Sequence, residues 1–263
     1  MVTLPQYKYA MNTKTRIKKI TAWIKNYCTK NKLDTLVIGV SGGIDSAVVS
    51  TLCAQTGLPV IVATLPIKQR RDQHSLSLTH ASWLTGKFPN VKHVNVDLTP
   101  TFKQFEKLFV DGNKLALANS RSRLRMVALY QLAQSANGIV VGTGNKVEDF
   151  GVGFFTKYGD GGVDISPIGD CLKTEVWDMG RELGVNQLII DAAPTDGLWD
   201  DGRTDQDQLG GLSYAQLETV MELDTNTDVS VSKEQAKALK IYHDIRRKTL
   251  HKMNPIPVCI LKK

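Results

Sequence analysis

The most informative part of this sequence reads Leu36-Val37-Ile38-Gly39-Val40-Ser41-Gly42-Gly43-Ile44-Asp45-Ser46. The apolar run at its start predicts a short strand buried on both faces of a parallel sheet. A glycine-containing turn follows, and a helix is predicted from Ala47 to Gln55. Glycine lets backbone N–H groups approach phosphate oxygens closely, and the N-terminus of a helix attracts anions. The stretch therefore indicates a strand, a phosphate-binding loop and a helix in succession.

Strands and helices alternate along the first part of the chain. Further strands are predicted at 58–65, 91–96 and 138–142, and helices at 14–29, 71–84, 114–136, 173–183, 214–222 and 233–248. This alternation predicts an α/β fold with a doubly wound, mainly parallel sheet flanked by helices. Residues 143–172 are rich in glycine and lack periodicity, which is typical of a functional loop segment. Because no repeat or linker interrupts the pattern, we expect residues 1–263 to form a single domain.

The bulk properties are those of an ordinary globular protein. The chain has 263 residues and a formal net charge of +7, which favours anionic partners such as nucleotides. No apolar stretch approaches the length of about 20 residues that spans a bilayer, and no secretory signal is recognisable at the N-terminus. The four cysteines show no CxxC spacing, so we expect buried thiols in a cytoplasmic protein without membrane association.

The glycine-rich turn differs from the common NTPase loop, because GxxxxGK[ST] requires a lysine that is missing here. It carries Asp45 instead, which would repel a phosphate unless a cation lay between them. Asp45 is therefore a candidate Mg²⁺ ligand, since hard cations prefer oxygen donors. The alternative is a tight strand-to-helix turn in which Asp45 or Ser41 is the N-cap.

Two strings connect the chain with a known family. The loop SGGIDS at 41–46 resembles the pyrophosphate loop of the N-type ATP pyrophosphatases. Within that superfamily, FFTKYGDGGVD at 154–164 and GTGNK at 142–146 closely resemble the signature of the NAD synthetases. The resemblance extends from the phosphate loop to His251-Lys252, and it implies a ligase that uses ATP to convert deamido-NAD and ammonia into NAD, AMP and diphosphate through an adenylate.

The resemblance also implies roles for individual residues. ATP contacts are implied for Gly39, Val40, Ser41, Gly42, Gly43, Ile44, Asp45, Ser46, Thr143, Lys173 and Thr195. Contacts with deamido-NAD are implied for Arg123, Lys157, Asp164, His251 and Lys252. Mg²⁺ would be held by Asp45 and Glu148, and the catalytic groups would be Asp45, Lys173 and Asp160, with Asp160 where ammonia enters. Homodimers, free ammonia as nitrogen donor and no nucleic-acid partner are also implied.

Some of these roles make independent physical sense. At 100° per residue, Arg123 lies almost opposite Arg121 and Arg125 on one helix. Arg123 shares its side with Val127, so we expect Arg121 and Arg125 to be the solvated pair. Lys173 is predicted near a helix N-terminus, where its charge opposes the helix dipole and a bound phosphate would relieve the mismatch.

The sequence departs from the family pattern in two places. The spacing between GTGNK and FFTKYGD is one residue longer than usual, so counting from the left selects Glu148 as metal ligand and counting from the right selects Asp149. Residues 67–70 also differ from the family, which leaves adenine contacts there open. The acidic segment 198–207 is interpreted either as a lid over ATP or as a surface loop.

Two other classes of protein could use the same α/β fold and phosphate loop. A tRNA-modifying ATP pyrophosphatase would suit the positive charge, but the chain lacks paired cysteines for sulfur transfer and an RNA-binding segment. A non-catalytic adenine-nucleotide sensor would not need Asp45, Glu148, Asp160 and Lys173 together. The sequence thus favours the ligase.

Overall fold

A parallel sheet of four strands organises the protein, whose computed structural model describes residues 11–69, 71–109, 112–195, 204–225 and 230–261. The strands are β1 (Thr35–Gly39), β2 (Val60–Thr64), β3 (Val91–Asn95) and β4 (Gly138–Val140). Their order is β3-β2-β1-β4, and every neighbouring pair is parallel. The predicted parallel sheet is confirmed.

Helices surround the sheet. They are α1 (Thr13–Asn31), α2 (Ile44–Gln55), α3 (Arg71–Lys87), α4 (Thr99–Lys107), α5 (Lys114–Ser135), α6 (Lys173–Leu183), α7 (Gln187–Ile190), α8 (Asp205–Gln208), α9 (Tyr214–Thr225) and α10 (Lys233–Met253). A π-helix covers Lys146–Val152 between β4 and α6. None of the helices in the described ranges combines the length and apolarity needed to cross a membrane.

The two faces of the sheet bury different helices, as a doubly wound fold requires. Leu36 and Ile38 of β1 belong to a core that also contains apolar residues of α1, α2 and α6. Val37, which points to the opposite face, packs with Ala133 of α5 and Val140 of β4. This alternation follows from the two-residue period of a strand. The apolar residues at the centre of β1 are therefore covered by helices on both faces of the sheet.

A third apolar cluster forms beyond the sheet. It joins Val147 and Val152 of the π-helix to Leu209, Leu217 and other residues that precede or belong to α9 and α10. The cluster places the C-terminal helices against the segment that was predicted to be a loop. The glycine-rich region is thus anchored between the sheet and the C-terminal helices.

Four elements are not predicted from the sequence: α4, the π-helix and the one-turn helices α7 and α8. Helix α4 was not predicted, although it has a proline in its first turn and buries Phe102. The π-helix was interpreted as part of a loop segment because its seven residues KVEDFGV mix apolar and acidic residues without a 3.6-residue period. It begins after Asn145, whose side chain caps it, and ends before Gly153 in the left-handed conformation. Local caps, rather than amphipathicity, define this element.

The strand order fixes where a ligand can bind. The chain proceeds from β1 to β2 and β3 on one side, and then returns to place β4 on the other side of β1. Ligands of open α/β sheets bind outside the carboxyl ends of the strands at such a reversal. The segments leaving β1 and β4, Val40–Gly43 and Val141–Asn145, both lie there. The phosphate loop and the GTGNK string are therefore neighbours.

Candidate active site

The loop after β1 has the geometry of an anion cradle. Gly42 adopts φ 93°, a left-handed conformation that L side chains rarely adopt. Ser41 and Ser46 brace the loop, because the Ser41 N–H donates to Ser46 Oγ at 3.2 Å and the Gly43 N–H donates to Ser41 Oγ at 3.2 Å. Gly43 is the N-cap of α2 and supplies no side chain to the first N–H groups of that helix. These N–H groups are directed toward a ligand position at the positive end of α2.

Beside this loop, Lys173 joins two carboxylates from distant parts of the chain. Its ammonium is 2.6 Å from Asp45 Oδ2 and 2.8 Å from Glu148 Oε1. The Lys173 side chain is only 2% exposed, whereas those of Asp45 and Glu148 are 17% and 15% exposed. We expected a bound phosphate to relieve the mismatch of Lys173 with the dipole of α6. In the structure the two carboxylates already balance its charge.

The protonation of this cluster follows from burial and from the charges themselves. Burial opposes the charge of Lys173, but the two carboxylates outweigh it and raise the pKa of the lysine above its usual value. Burial raises the pKa of Asp45, although Lys173 acts in the opposite direction. For Glu148, Lys173 and hydrogen bonds from Lys173 and Tyr214 overcome the cost of burial and lower the pKa. Lys173 is therefore held in its charged form.

The residues around this cluster suit a divalent cation that shares its ligands with a nucleotide. Asp45 and Glu148 supply oxygen donors, and Mg²⁺ commonly takes one or two carboxylates together with water and substrate phosphates. Across the described ranges, no three His, Cys, Asp or Glu side chains converge on one metal position. Phosphate oxygens of a bound nucleotide and water would have to complete the coordination of Mg²⁺ at Asp45 and Glu148. Asp149, the alternative ligand, lies with its carboxylate against the backbone of Gly144.

Asp160 lies close enough to Asp149 for the two charges to interact. Its Oδ1 accepts hydrogen bonds from Ser122 Oγ at 2.7 Å and from the Thr156 N–H at 3.0 Å. Asp160 is exposed to solvent, although many protein atoms surround its carboxylate. Burial raises the pKa of Asp160, and the bonds from Ser122 and Thr156 act against this. The pKa of Asp149 is raised well above its usual value by burial and by the negative charges of Asp160, Glu148 and Asp45.

Three cations predicted to contact deamido-NAD lie near Asp160, and each donates to a backbone carbonyl. Arg123 Nε is 3.2 Å from the oxygen of Lys157, and Lys157 Nζ is 3.1 Å from the oxygen of His251. Lys252 Nζ lies 2.7 Å from the oxygen of Phe155. Burial lowers the pKa of Lys252, while the charges of Asp160 and Asp149 oppose that shift. These positive charges are bonded to neutral acceptors, so they remain available to an anionic ligand.

The other predicted ligand residues are placed less centrally. Asp164 accepts from the Val140 N–H at 2.8 Å and from the Tyr130 hydroxyl at 3.1 Å, so it fastens its loop to β4. The residue His251 is exposed, and its backbone oxygen binds Lys157. Thr143 is half-buried between β4 and the π-helix, and Thr195 is exposed at the end of the range 112–195. Of the acidic segment 198–207, residues 198–203 lie outside the described residues.

The prediction for the α5 arginines was wrong. Arg125 is partly buried, and its Nε donates to the carbonyl of Leu65 at 3.0 Å. Burial, with the nearby charge of Arg121, lowers the pKa of Arg125 to about 10. Arg123 is the exposed one, as is its neighbour Val127 at 58%. The side that carries Val127 does not face the sheet, because α5 packs on the sheet through Leu129 and Ala133.

Three site residues were given no role from the sequence. Asn145 donates to Asp45 Oδ1 at 3.0 Å and accepts from the N–H groups of Val147 and Glu148, so it joins the phosphate loop to the π-helix. An asparagine followed three residues later by glutamate is a recognisable N-cap signal. Ser122 and Tyr214 offered no such signal, because their partners are 38 and 66 residues away in sequence.

Comparisons with known proteins agree with this geometry. The family model for NAD synthase matches residues 16–255. An NH(3)-dependent NAD(+) synthetase of Alkaliphilus metalliredigens is 38% identical over 79% of this chain and 85% of its own, and that of Mycoplasma genitalium is 34% identical over 90% and 92%. The structure of an NMN synthetase from Francisella tularensis is 31% identical, with a TM-score of 0.85 over 96% of this chain and 100% of that one.

Proposed function

This chain belongs to the NAD synthase family, and on that premise we propose that it amidates the nicotinate carboxylate of deamido-NAD, using ATP and ammonia. The products are NAD, AMP and diphosphate. The observation that carries the proposal is the position of the Lys173 cluster beside the phosphate loop, with Asp160 close enough for its charge to act on Asp149. An enzyme of this kind must bring a triphosphate, a carboxylate and ammonia together.

The first step takes place at the phosphate loop. The carboxylate oxygen of the substrate attacks the α-phosphorus of ATP, forming a P–O bond while the bond to the leaving diphosphate breaks. The N–H groups at the start of α2 and the hydroxyls of Ser41 and Ser46 would bind the departing phosphates. Lys173 would stabilise the charge that develops on them. Mg²⁺, held by Asp45 and Glu148, would supply further charge neutralisation for the ATP phosphates.

The second step requires neutral ammonia. Ammonia attacks the carbonyl carbon of the adenylate, a C–N bond forms, and AMP leaves with the electrons of the broken C–O bond. Near pH 7 ammonia is mostly ammonium, so a base that removes its proton accelerates this step. Asp160 is suited to this role because its carboxylate reaches solvent and is held by Ser122 and Thr156. The cations Arg123, Lys157 and Lys252 would bind the substrate phosphates.

A mononucleotide acceptor is the second candidate. The solved relative with a TM-score of 0.85 is described as an NMN synthetase, and it is matched over its full length. The same two steps would convert nicotinate mononucleotide into its amide, since the reacting carboxylate is identical. The two acceptors differ only in the adenylyl half of the dinucleotide. The identity of the acceptor is therefore a separate question from the chemistry.

One assay tests both candidates. The protein is incubated with ATP, Mg²⁺ and ammonium, and with either deamido-NAD or nicotinate mononucleotide, and AMP, diphosphate and the amide are measured. We expect all three products with deamido-NAD, and their loss in Asp45→Asn. A higher kcat/KM with the mononucleotide would replace the first candidate by the second. Absence of AMP with both acceptors would contradict the proposed function.

We further propose a single catalytic domain that works as a cytoplasmic homodimer and accepts free ammonia. The apolar clusters on the two faces of the sheet share β1, which supports one folding unit. Sedimentation analysis tests the dimer, and a comparison of ammonium with glutamine as nitrogen donor tests the ammonia dependence.

A further inference from the structure

Tyr214 is a buried residue beside Lys173, Asp45 and Glu148, which form the ATP end of the site. The proposed reaction gives Tyr214 no role. It lies at the start of α9 and is 8% exposed. Its hydroxyl is 2.6 Å from Glu148 Oε1, the same oxygen that accepts from Lys173. The centre of its aromatic ring is 4.9 Å from Lys173 Nζ, and the ring packs edge-on against Trp177. Tyr214 thus contacts both Glu148 and Lys173.

A second contact fixes the hydroxyl from the other side. Asp205 Oδ2 is 3.1 Å from the Tyr214 hydroxyl, and Asp205 is 5% exposed. The backbone of Asp205 is also held, since its N–H donates to the carbonyl of Pro194 at 3.1 Å. The single hydroxyl proton of Tyr214 therefore lies between two carboxylate oxygens, with the shorter contact to Glu148, and Trp177 packs against the ring. A side chain with so many fixed contacts can orient its neighbour.

We propose that Tyr214, supported by Asp205, is a positioning residue that orients the Glu148 carboxylate for the divalent cation of the ATP complex. Both hydrogen-bond donors, Tyr214 and Lys173, meet at Oε1 of Glu148. These two bonds oppose rotation of the Glu148 carboxylate and so fix the direction in which it can offer oxygen to a cation. Partners of this kind set metal affinity because they hold the ligand in its binding orientation.

This proposal rests on the Mg²⁺ site of the proposed function but not on the identity of the acceptor. Its test therefore uses no acceptor. The affinity for α,β-methylene-ATP is measured by calorimetry, once with Mg²⁺ and once with excess chelator. The ratio of the two dissociation constants is the gain in nucleotide affinity due to the cation, called the gain below. Failure of the acceptor assay would leave this ratio interpretable.

Tyr214→Phe keeps the ring and removes the hydroxyl. We expect the gain due to Mg²⁺ to fall by about tenfold, the usual order for loss of a residue that orients a metal ligand. The affinity measured in chelator should stay unchanged. Tyr242→Phe is the matched control, because Tyr242 is buried in the same cluster at 3% exposure and its hydroxyl bonds Arg246 instead. This control should keep the full gain.

A gain within twofold of the unmodified protein in Tyr214→Phe would overturn the proposal, whatever the variant does to thermal stability. If that variant does not fold, Asp205→Asn decides the question. It leaves the Tyr214–Glu148 contact in place but replaces the carboxylate that supports the hydroxyl by a neutral amide, so the gain in affinity due to Mg²⁺ should fall, by less than about tenfold. An unchanged gain in Asp205→Asn would then overturn the proposal.

Discussion

The two ends of the site differ in the partners of their charged side chains. The ATP end consists of Lys173, Asp45 and Glu148, and the acceptor end contains Arg123, Lys157 and Lys252. At the ATP end, one buried lysine is shared by two carboxylates, so the cluster has more negative than positive groups. At the acceptor end, Arg123, Lys157 and Lys252 all donate to neutral carbonyls, and their charge is not cancelled by those bonds. Each end is therefore complementary to a different ligand.

This difference in charge indicates how one site can bind two anionic substrates. ATP would arrive with a divalent cation, and an end with excess carboxylate attracts that cation rather than the phosphates directly. The other nucleotide would meet lysine and arginine side chains that are oriented but not neutralised. Cations bonded to carbonyls lose less of their attraction for phosphate than cations in ion pairs. The backbone of residues 155–157 and 251 thus orients the positive charges of the acceptor end.

Removing the charge at the ATP end has the largest expected effect. In Lys173→Met the carboxylates of Asp45 and Glu148 lose their shared partner, and an uncompensated buried charge costs about 3–5 kcal/mol of unfolding free energy. Urea unfolding at neutral pH measures this loss, and diphosphate release should also be abolished. Arg181→Met, which breaks an exposed pair with Asp178, is the control and should cost less than about 1 kcal/mol. A similar small loss in Lys173→Met would contradict the proposed electrostatic role.

Asp160→Asn separates the two chemical steps. Asparagine keeps an oxygen for Ser122 and Thr156 but cannot take a proton, so amide formation should fall by about 10²–10⁴. Diphosphate release in a single turnover should stay within a few-fold. Rapid quench with labelled ATP measures both steps, and Asp170→Asn, whose side chain is 96% exposed, is the control. An equal fall in both steps would show that Asp160 does not act on ammonia.

The pH dependence of the second step follows from the same residue. Burial raises the pKa of Asp160, so its carboxylate is protonated at a higher pH than an ordinary aspartate. Amide formation should therefore decline as the pH falls through this raised pKa, with the concentration of free ammonia held constant. Asp160→Asn should lack that decline.

The smallest effect is expected at the acceptor end. Lys157→Met removes one of several positive charges, and the KM for the acceptor should rise by about tenfold, the order of one charged hydrogen bond. The KM for ATP should stay unchanged, since Lys157 lies on the opposite end. Lys240→Met, exposed on α10, provides the control in steady-state assays at low salt. A rise in the KM for ATP of equal size would remove the distinction between the two ends.

Short-range signals explain which parts of the fold could be predicted. The apolar run before the glycine turn predicted β1 and α2, and the sheet was confirmed as parallel. Helix α6 was predicted as 173–183 and has those bounds because its apolar stripe is regular. The π-helix was not predicted, since Asn145 and Gly153 define it through caps rather than through periodicity. The α5 arginines were assigned to the wrong sides because helix geometry alone does not say which side faces the sheet.

The sequence by itself determined the phosphate loop, the alternation of strands and helices, and the family through the strings SGGIDS and FFTKYGDGGVD. These depend on neighbouring residues, whose spacing is visible in the chain. Only the tertiary structure decided that Lys173 joins Asp45 to Glu148, that Tyr214 contacts Glu148, and that Arg125 rather than Arg123 is buried. Those contacts link residues far apart in sequence, and they exist because the packing of the helices on the sheet brings charged groups to a place where burial requires them to be paired.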